Sequence, residues 1–276
     1  MTLYLNFRAH PLGGSVVDPY VLRGDDPERM RSVSWAEVPS LVLRKNVLFG
    51  VHGFNVSYEA GARTFAELEP KLGLGAVDVF FGVLWPGDYW LPVVNYPFEG
   101  GVALDCGKRL AGFCSRWLGQ AQSTSFLSHS LGARLVLEAV KNLDGRARNV
   151  CLTAAAINRD CLATEYAQAS SKADEVSILA SRRDVVLQIA FRVGDPISAL
   201  LHPDHDPFES ALGYDGPIVP TPASVAPPWQ IQDGADYGHH DYLPPGDTLS
   251  PTRPAKWMLP AEFMGNAFRG QRQGWP

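Results

Sequence analysis

Short apolar runs alternate with helical stripes between residues 45 and 180, and that alternation leaves few architectures open. Lys45–Val51 (K-N-V-L-F-G-V), Val77–Leu84 (V-D-V-F-F-G-V-L), Thr124–Leu127, Asn149–Ala155 and Glu175–Ala180 each read as a buried strand. Between them Tyr58, Ala62, Phe65, Leu68 and Leu72 recur at three- and four-residue steps, as one helix face does. Val102, Cys106, Leu110, Phe113, Cys114 and Trp117 mark a second such face, and Leu131, Leu135, Val136, Ala139, Val140 and Leu143 a third. Consecutive strand–helix–strand units close as right-handed crossovers, so the expected fold is α/β, with a mostly parallel sheet and helices on both faces. Asn55 or Ser57 is placed to cap the first helix, and Pro70 to interrupt its end. Leu3–Arg8 is expected as an antiparallel edge strand, and Trp229–Gln232 as a last short strand.

A chain of 276 residues, 46% of them apolar and 19% charged, can bury one sizeable core, so a single domain is expected over 1–276. Two stretches break the periodicity and read as loop or lid-like segments: about 86–100, rich in aromatic residues, and 196–238, rich in Pro, Gly, Asp and His. The tail 247–276, with Trp257, Met258, Leu259, Phe263 and Met264, reads as a segment docking on the body. A net charge of −5 with no basic stripe argues against a nucleic-acid partner. No run reaches the length of a membrane span, and the first residues lack a signal-peptide pattern, so the expected location is cytoplasmic. Cys106, Cys114, Cys151 and Cys161 have no C-x-x-C spacing and apolar neighbours, which predicts reduced, buried thiols.

The chemistry-bearing feature is Ser128-His129-Ser130-Leu131-Gly132, set between a strand and a helix. A hydroxyl becomes a useful nucleophile once it is exposed and a base can remove its proton. A tight strand-to-helix turn lifts the hydroxyl above the sheet edge, provided the residues two before and two after it are small. Ser128 and Gly132 meet that requirement around Ser130, although Gly is usual at the first place. An oxyanion needs two backbone N–H donors, and the turn and the earlier His52-Gly53-Phe54-Asn55 loop could supply them from Leu131 and Phe54. In chain order an acid should follow, then a histidine. Asp184, just past the strand at Glu175–Ala180, is favoured over Asp160 and Asp195; His239 is favoured as base, with His240 as its alternative.

These motifs resemble an α/β-hydrolase family of unknown function with esterase-type members. Its pattern is H-G-[FY]-N, W-P-[SG], H-S-[ML]-G, S-x-x-D and a late G-H. This chain carries them as His52–Asn55, Trp85-Pro86-Gly87, His129–Gly132, Ser181–Asp184 and Gly238-His239, over roughly residues 45–243. The resemblance implies the α/β-hydrolase fold and a triad of Ser130, Asp184 and His239; His240 stands where the family often has Ser, and no cofactor and no metal are expected. The expected activity is hydrolysis of small carboxylic esters, and Trp85, Tyr89, Trp90, Tyr96 and Phe98 are candidates to bind the substrate. Two rival readings compete. One is a catalytically silent binding protein on the same fold. The other is a metallohydrolase using His202, Asp204, His205, Asp206, His239, His240 and Asp241, whose spacing matches no common zinc pattern.

Overall fold

The computed structural model describes residues 1–10, 15–88, 92–192, 210–246 and 255–276, and for 92–100 and 192 the backbone alone. Its strands are β1 (Leu3–Arg8), β2 (Val16–Arg23), β3 (Arg31–Ser32), β4 (Asn46–Val51), β5 (Asp78–Leu84), β6 (Ser123–His129), β7 (Ala147–Thr153) and β8 (Ala173–Leu179). They form one sheet in the order β3-β2-β1-β5-β4-β6-β7-β8. From β1 to β8 across the sheet every pairing is parallel, and β2 and β3 add antiparallel strands at one side. Leu3–Arg8 is thus not an edge strand. It pairs antiparallel with β2 but parallel with β5, because its six residues are all buried and need cover on both sides.

The helices are α1 (Val38–Val42), α2 (Tyr58–Leu68), α3 (Pro92–Trp117), α4 (Gly132–Asn142), α5 (Ala167–Lys172), α6 (Val185–Arg192), α7 (Leu212–Asp215) and α8 (Met258–Phe268). Two apolar clusters lie on the two faces of the sheet. Val47, Phe49 and Val51 of β4 join the cluster that holds α3 and α4, whereas Leu48 joins the one that holds α2 and α8. That division follows from the two-residue period of a strand. Phe49 stacks between Phe81 and Phe126 at 5.5 Å from each, which locks the central strands in register. Ser57 caps α2 by accepting from the Ala60 N–H, and Pro70 lies in a 3-10 turn, Glu69–Lys71, where the α-helical pattern stops.

Two further sequence expectations change. The stretch about 86–100 is not wholly loop, because α3 starts at Pro92; a proline at the first helical position has no N–H to leave unpaired. Trp229–Gln232 does not form a strand. It runs beside Ala180 through an isolated parallel bridge, with Ala180 N–H donating to Trp229 O and Ile231 N–H to Ala180 O, both at 2.8 Å. The segment 196–238 is described only from residue 210, where it carries α7 and a 3-10 turn at Asp233–Ala235; Asp195, His202, Asp204, His205 and Asp206 lie outside the described residues. Within the tail, α8 packs on β7 and buries Phe263, Met264 and Phe268. All four cysteines are buried and none forms a disulfide among the described residues, and burial pushes Cys151 up to about 12. Among the described residues no helix is long and apolar enough to cross a membrane.

Candidate active site

The chain direction reverses its spread across the sheet at β4: β5 lies on one side of it and β6 on the other. In open α/β sheets the crevice at such a switch point, beyond the carboxyl ends of the strands, is the usual ligand site. His52 and Gly53 leave β4 there, and Ser130 leaves β6 beside them. Ser130 has a φ of 54°, a left-handed conformation that a serine holds at a cost of about 1–3 kcal/mol. Its backbone is held on both sides by the neighbouring strand end, since Ser130 N–H donates to Thr153 O at 3.0 Å and Ala156 N–H to Ser130 O at 3.2 Å.

The small residues of the motif have a steric reason. A Cβ on Gly132 would stand 2.5 Å from His52 O, so only glycine lets α4 start against the end of β4. A Cβ on Gly53 would stand 2.9 Å from the Ser130 Cβ, so the loop after β4 rests directly on the serine. Ser128, where glycine is usual, is fully buried and its Oγ has no hydrogen-bond partner among the described residues; the side chain is tolerated as volume. Leu131 opens α4 as its N-cap, and Phe54 is half-buried in the loop opposite.

Ser130, His239 and Asp184 come together from three distant parts of the chain. His239 Nε2 lies 2.9 Å from Ser130 Oγ, and His239 Nδ1 lies 2.8 Å from Asp184 Oδ2. A carboxylate oxygen accepts, so Nδ1 donates to it and Nε2 is left to accept the serine proton. The second Asp184 oxygen accepts from the Leu187 N–H at 2.9 Å, which caps the start of α6, and the whole side chain is buried. His240 is exposed and turns its ring edge-on to His239 at 5.4 Å. Asp160, the rival candidate acid that lies within the described residues, sits in the turn beyond β7, where its carbonyl accepts from Ala163 N–H at 2.8 Å and from Thr164 Oγ1 at 3.1 Å.

The candidate substrate residues fare differently. Trp85 has no exposed surface to offer: its ring stacks on His52 at 5.6 Å, and its Nε1–H donates to His52 O at 2.9 Å. A wide indole with a single donor is satisfied there by the strand-end carbonyl, so Trp85 packs under the site and does not line it. Tyr89 and Trp90 lie outside the described residues, as do the side chains of Tyr96 and Phe98, whose backbone belongs to α3.

Several residues that the sequence reading left without a role hold the loops of this site. The His52 ring is buried, with Nδ1 donating to Gly53 O at 2.9 Å and Nε2 accepting from Trp85 N–H at 3.3 Å. Burial first, and then the Arg8 charge, push its imidazole down to about 3, so it stays neutral. Arg8, at the end of β1, is buried, pairs with Asp88 and donates from Nη2 to Val56 O at 2.6 Å. It thereby ties the loop after β4 to the loop after β5, which Asn55 N–H joins directly at Gly87 O, 2.7 Å away. An arginine closing a run of apolar strand residues was the available signal for it. His129, next to the serine, donates from Nε2 to the His239 carbonyl at 2.7 Å.

Among the described residues no group of three or more His, Cys, Asp or Glu side chains is gathered as a metal site would need. A model of the family described as "Alpha/beta hydrolase of unknown function (DUF900)" matches residues 39–231, more than two thirds of the chain. The matched stretch contains Ser130 and Asp184 and ends before His239. No curated protein matches the chain.

Proposed function

Because the chain belongs to this α/β-hydrolase family of unknown function, we propose that it is a serine hydrolase that cleaves carboxylic esters through an acyl-enzyme on Ser130. One observation carries the reading: a continuous hydrogen-bonded line from Ser130 Oγ through His239 to Asp184, with steps of 2.9 and 2.8 Å. The left-handed turn at Ser130 and its seat at the switch point of the sheet support it further.

In the proposed reaction His239 Nε2 takes the proton of Ser130 as Oγ adds to the ester carbonyl carbon. The oxygen that gains charge is received by the backbone N–H groups of Leu131, which follows the serine at the start of α4, and of Phe54, in the loop after β4. The bond to the alcohol oxygen then breaks, and His239 returns its proton to the departing alcohol. Water repeats the sequence on the acyl-enzyme, with His239 again removing and returning the proton, and the acid leaves. Asp184 holds His239 in the tautomer that can accept, and stabilises the imidazolium as it forms. The reading needs no metal or cofactor. The aromatic and apolar content of 86–100 favours uncharged esters with short or medium acyl chains.

The test is a chain-length panel of p-nitrophenyl esters on wild type and Ser130→Ala in parallel, with organophosphonate labelling of the same samples. Wild type should turn over part of the panel and take the label, and Ser130→Ala should lose about 10³-fold or more in turnover. Equal turnover by both proteins would remove the reading.

A further inference from the structure

We propose that His129 is a positioning residue: its imidazole ties the backbone of His239 to the strand end that carries Ser130, and so holds the base within reach of the hydroxyl. The proposal rests on the serine-hydrolase reading of the same site and assigns the tether that keeps its base in place.

His239 sits on a stretch, residues 236–246, that contains no helix or strand and gains no support from the ladder of the sheet. Its backbone is fastened instead by single bonds. Ser181 Oγ donates to Tyr237 O at 2.7 Å, Thr64 Oγ1 donates to Pro244 O at 3.1 Å, and His129 Nε2 donates to the carbonyl of His239 itself at 2.7 Å. Only the last of these reaches the residue that carries the base. The donor is the final residue of β6, held by the parallel register with β7 in which His129 faces Thr153. Ser130 follows it directly in the chain. Nucleophile and base are therefore referred to one rigid point, although 109 positions separate them in sequence.

The imidazole also fills the space between the two loops of the site. Its ring lies 4.9 Å from that of His239, and its Nδ1 would stand 3.0 Å from a Cβ on Gly53. A carbonyl only accepts, so Nε2 must carry the proton and Nδ1 bears the lone pair while the ring is neutral. Burial, and next the proximity of His239, hold its protonation well below the ordinary histidine range. A neutral ring suits the task, because a second imidazolium beside His239 would oppose the charge that His239 gains during the reaction. Misplacement of a reacting group by about 1 Å can cost about 10²-fold in rate, which sets the size of loss expected when the tether is removed.

Glutamine can bring its amide nitrogen to the place of Nε2, whereas methionine fills similar volume with no donor. On the ester that wild type turns over best, His129→Met should lower kcat about 10²-fold with KM nearly unchanged, and His129→Gln should recover most of the loss. A mere packing role would move both variants alike and show first in the melting temperature. The proposal is overturned if His129→Met keeps wild-type kcat, or if His129→Gln is no better than it. If the methionine variant does not fold, His129→Asn replaces it, since its shorter amide places nitrogen nearer the Nδ1 position. Should wild type show neither ester turnover nor labelling, the hydrolase reading fails, and proton NMR still decides the tether. The downfield His239 Nδ1–H resonance should then persist in wild type and His129→Gln and be lost or shifted in His129→Met; an unchanged resonance in His129→Met overturns the proposal.

Discussion

Replacing Asp184 by Asn sets the tautomer of His239 against the cap of α6, and the geometry says which gives way. The carboxylate accepts twice, from His239 Nδ1–H at 2.8 Å and from Leu187 N–H at 2.9 Å, and has no exposed surface of its own. An amide has one acceptor and one donor end, so it can satisfy only one of these donors. With the amide oxygen toward Nδ1, its NH₂ meets the Leu187 N–H, and two buried donors face each other at a cost of about 1–3 kcal/mol. With the oxygen toward Leu187, the NH₂ faces Nδ1, and the imidazole must move its proton to Nε2. The backbone N–H cannot adapt and the imidazole can, so the second arrangement is expected. His239 then points N–H at Ser130 and cannot take its proton. The expected loss in ester turnover is about 10⁴-fold, as for the corresponding change in other triad enzymes. That corresponds to about 5 kcal/mol in the barrier. The melting temperature should stay near that of wild type, because the cap is kept. The assay is steady-state hydrolysis of a p-nitrophenyl ester beside a thermal melt. Turnover within tenfold of wild type, at an unchanged melting temperature, would refute the role given to Asp184.

Two further outcomes follow from backbone and charge. Ser130→Gly should abolish turnover yet raise the stability of the fold by about 1 kcal/mol, because glycine adopts the φ of 54° without strain; a thermal melt that falls would contradict the strained-turn reading. Stability should also fall on acidification through His52. Its folded value of about 3 lies below the ordinary histidine value of 6.5, so between them the unfolded chain binds the proton that the folded one does not. The stabilisation present above the unfolded value is lost as pH falls through that window, about 2 kcal/mol between pH 7 and 5 from this group alone. Urea melts at the two pH values should show a smaller difference in His52→Gln than in wild type, and an equal difference would rule the group out as its source.

What the sequence by itself determined is local. The strands β4 to β8 and the helices α2 and α4 were legible, because each repeats a buried pattern with its own period over enough residues to state it. Ser130 was legible for the same reason: a small–x–Ser–x–small turn between a strand and a helix is a steric requirement written in five adjacent residues, and Gly132 meets it against His52 O. Asp184 and His239 were named from chain order, but the choice of His239 over its neighbour His240 stayed open on the residues alone. Two adjacent histidines in an irregular loop look alike until the loop is placed. Only the tertiary structure decided the rest. Arg8, His52 and His129 act through contacts with residues tens of positions away, and a partner at that distance leaves no periodic trace. Trp85 was misread for a related reason, since an aromatic residue after a strand can as well cover the carbonyl beneath it as face a ligand. β1 was misplaced at the edge because a six-residue strand pattern does not say which neighbours will pair with it. Sequence records what each segment must bury; convergence of far-separated side chains on one crevice depends on how the buried faces are finally stacked.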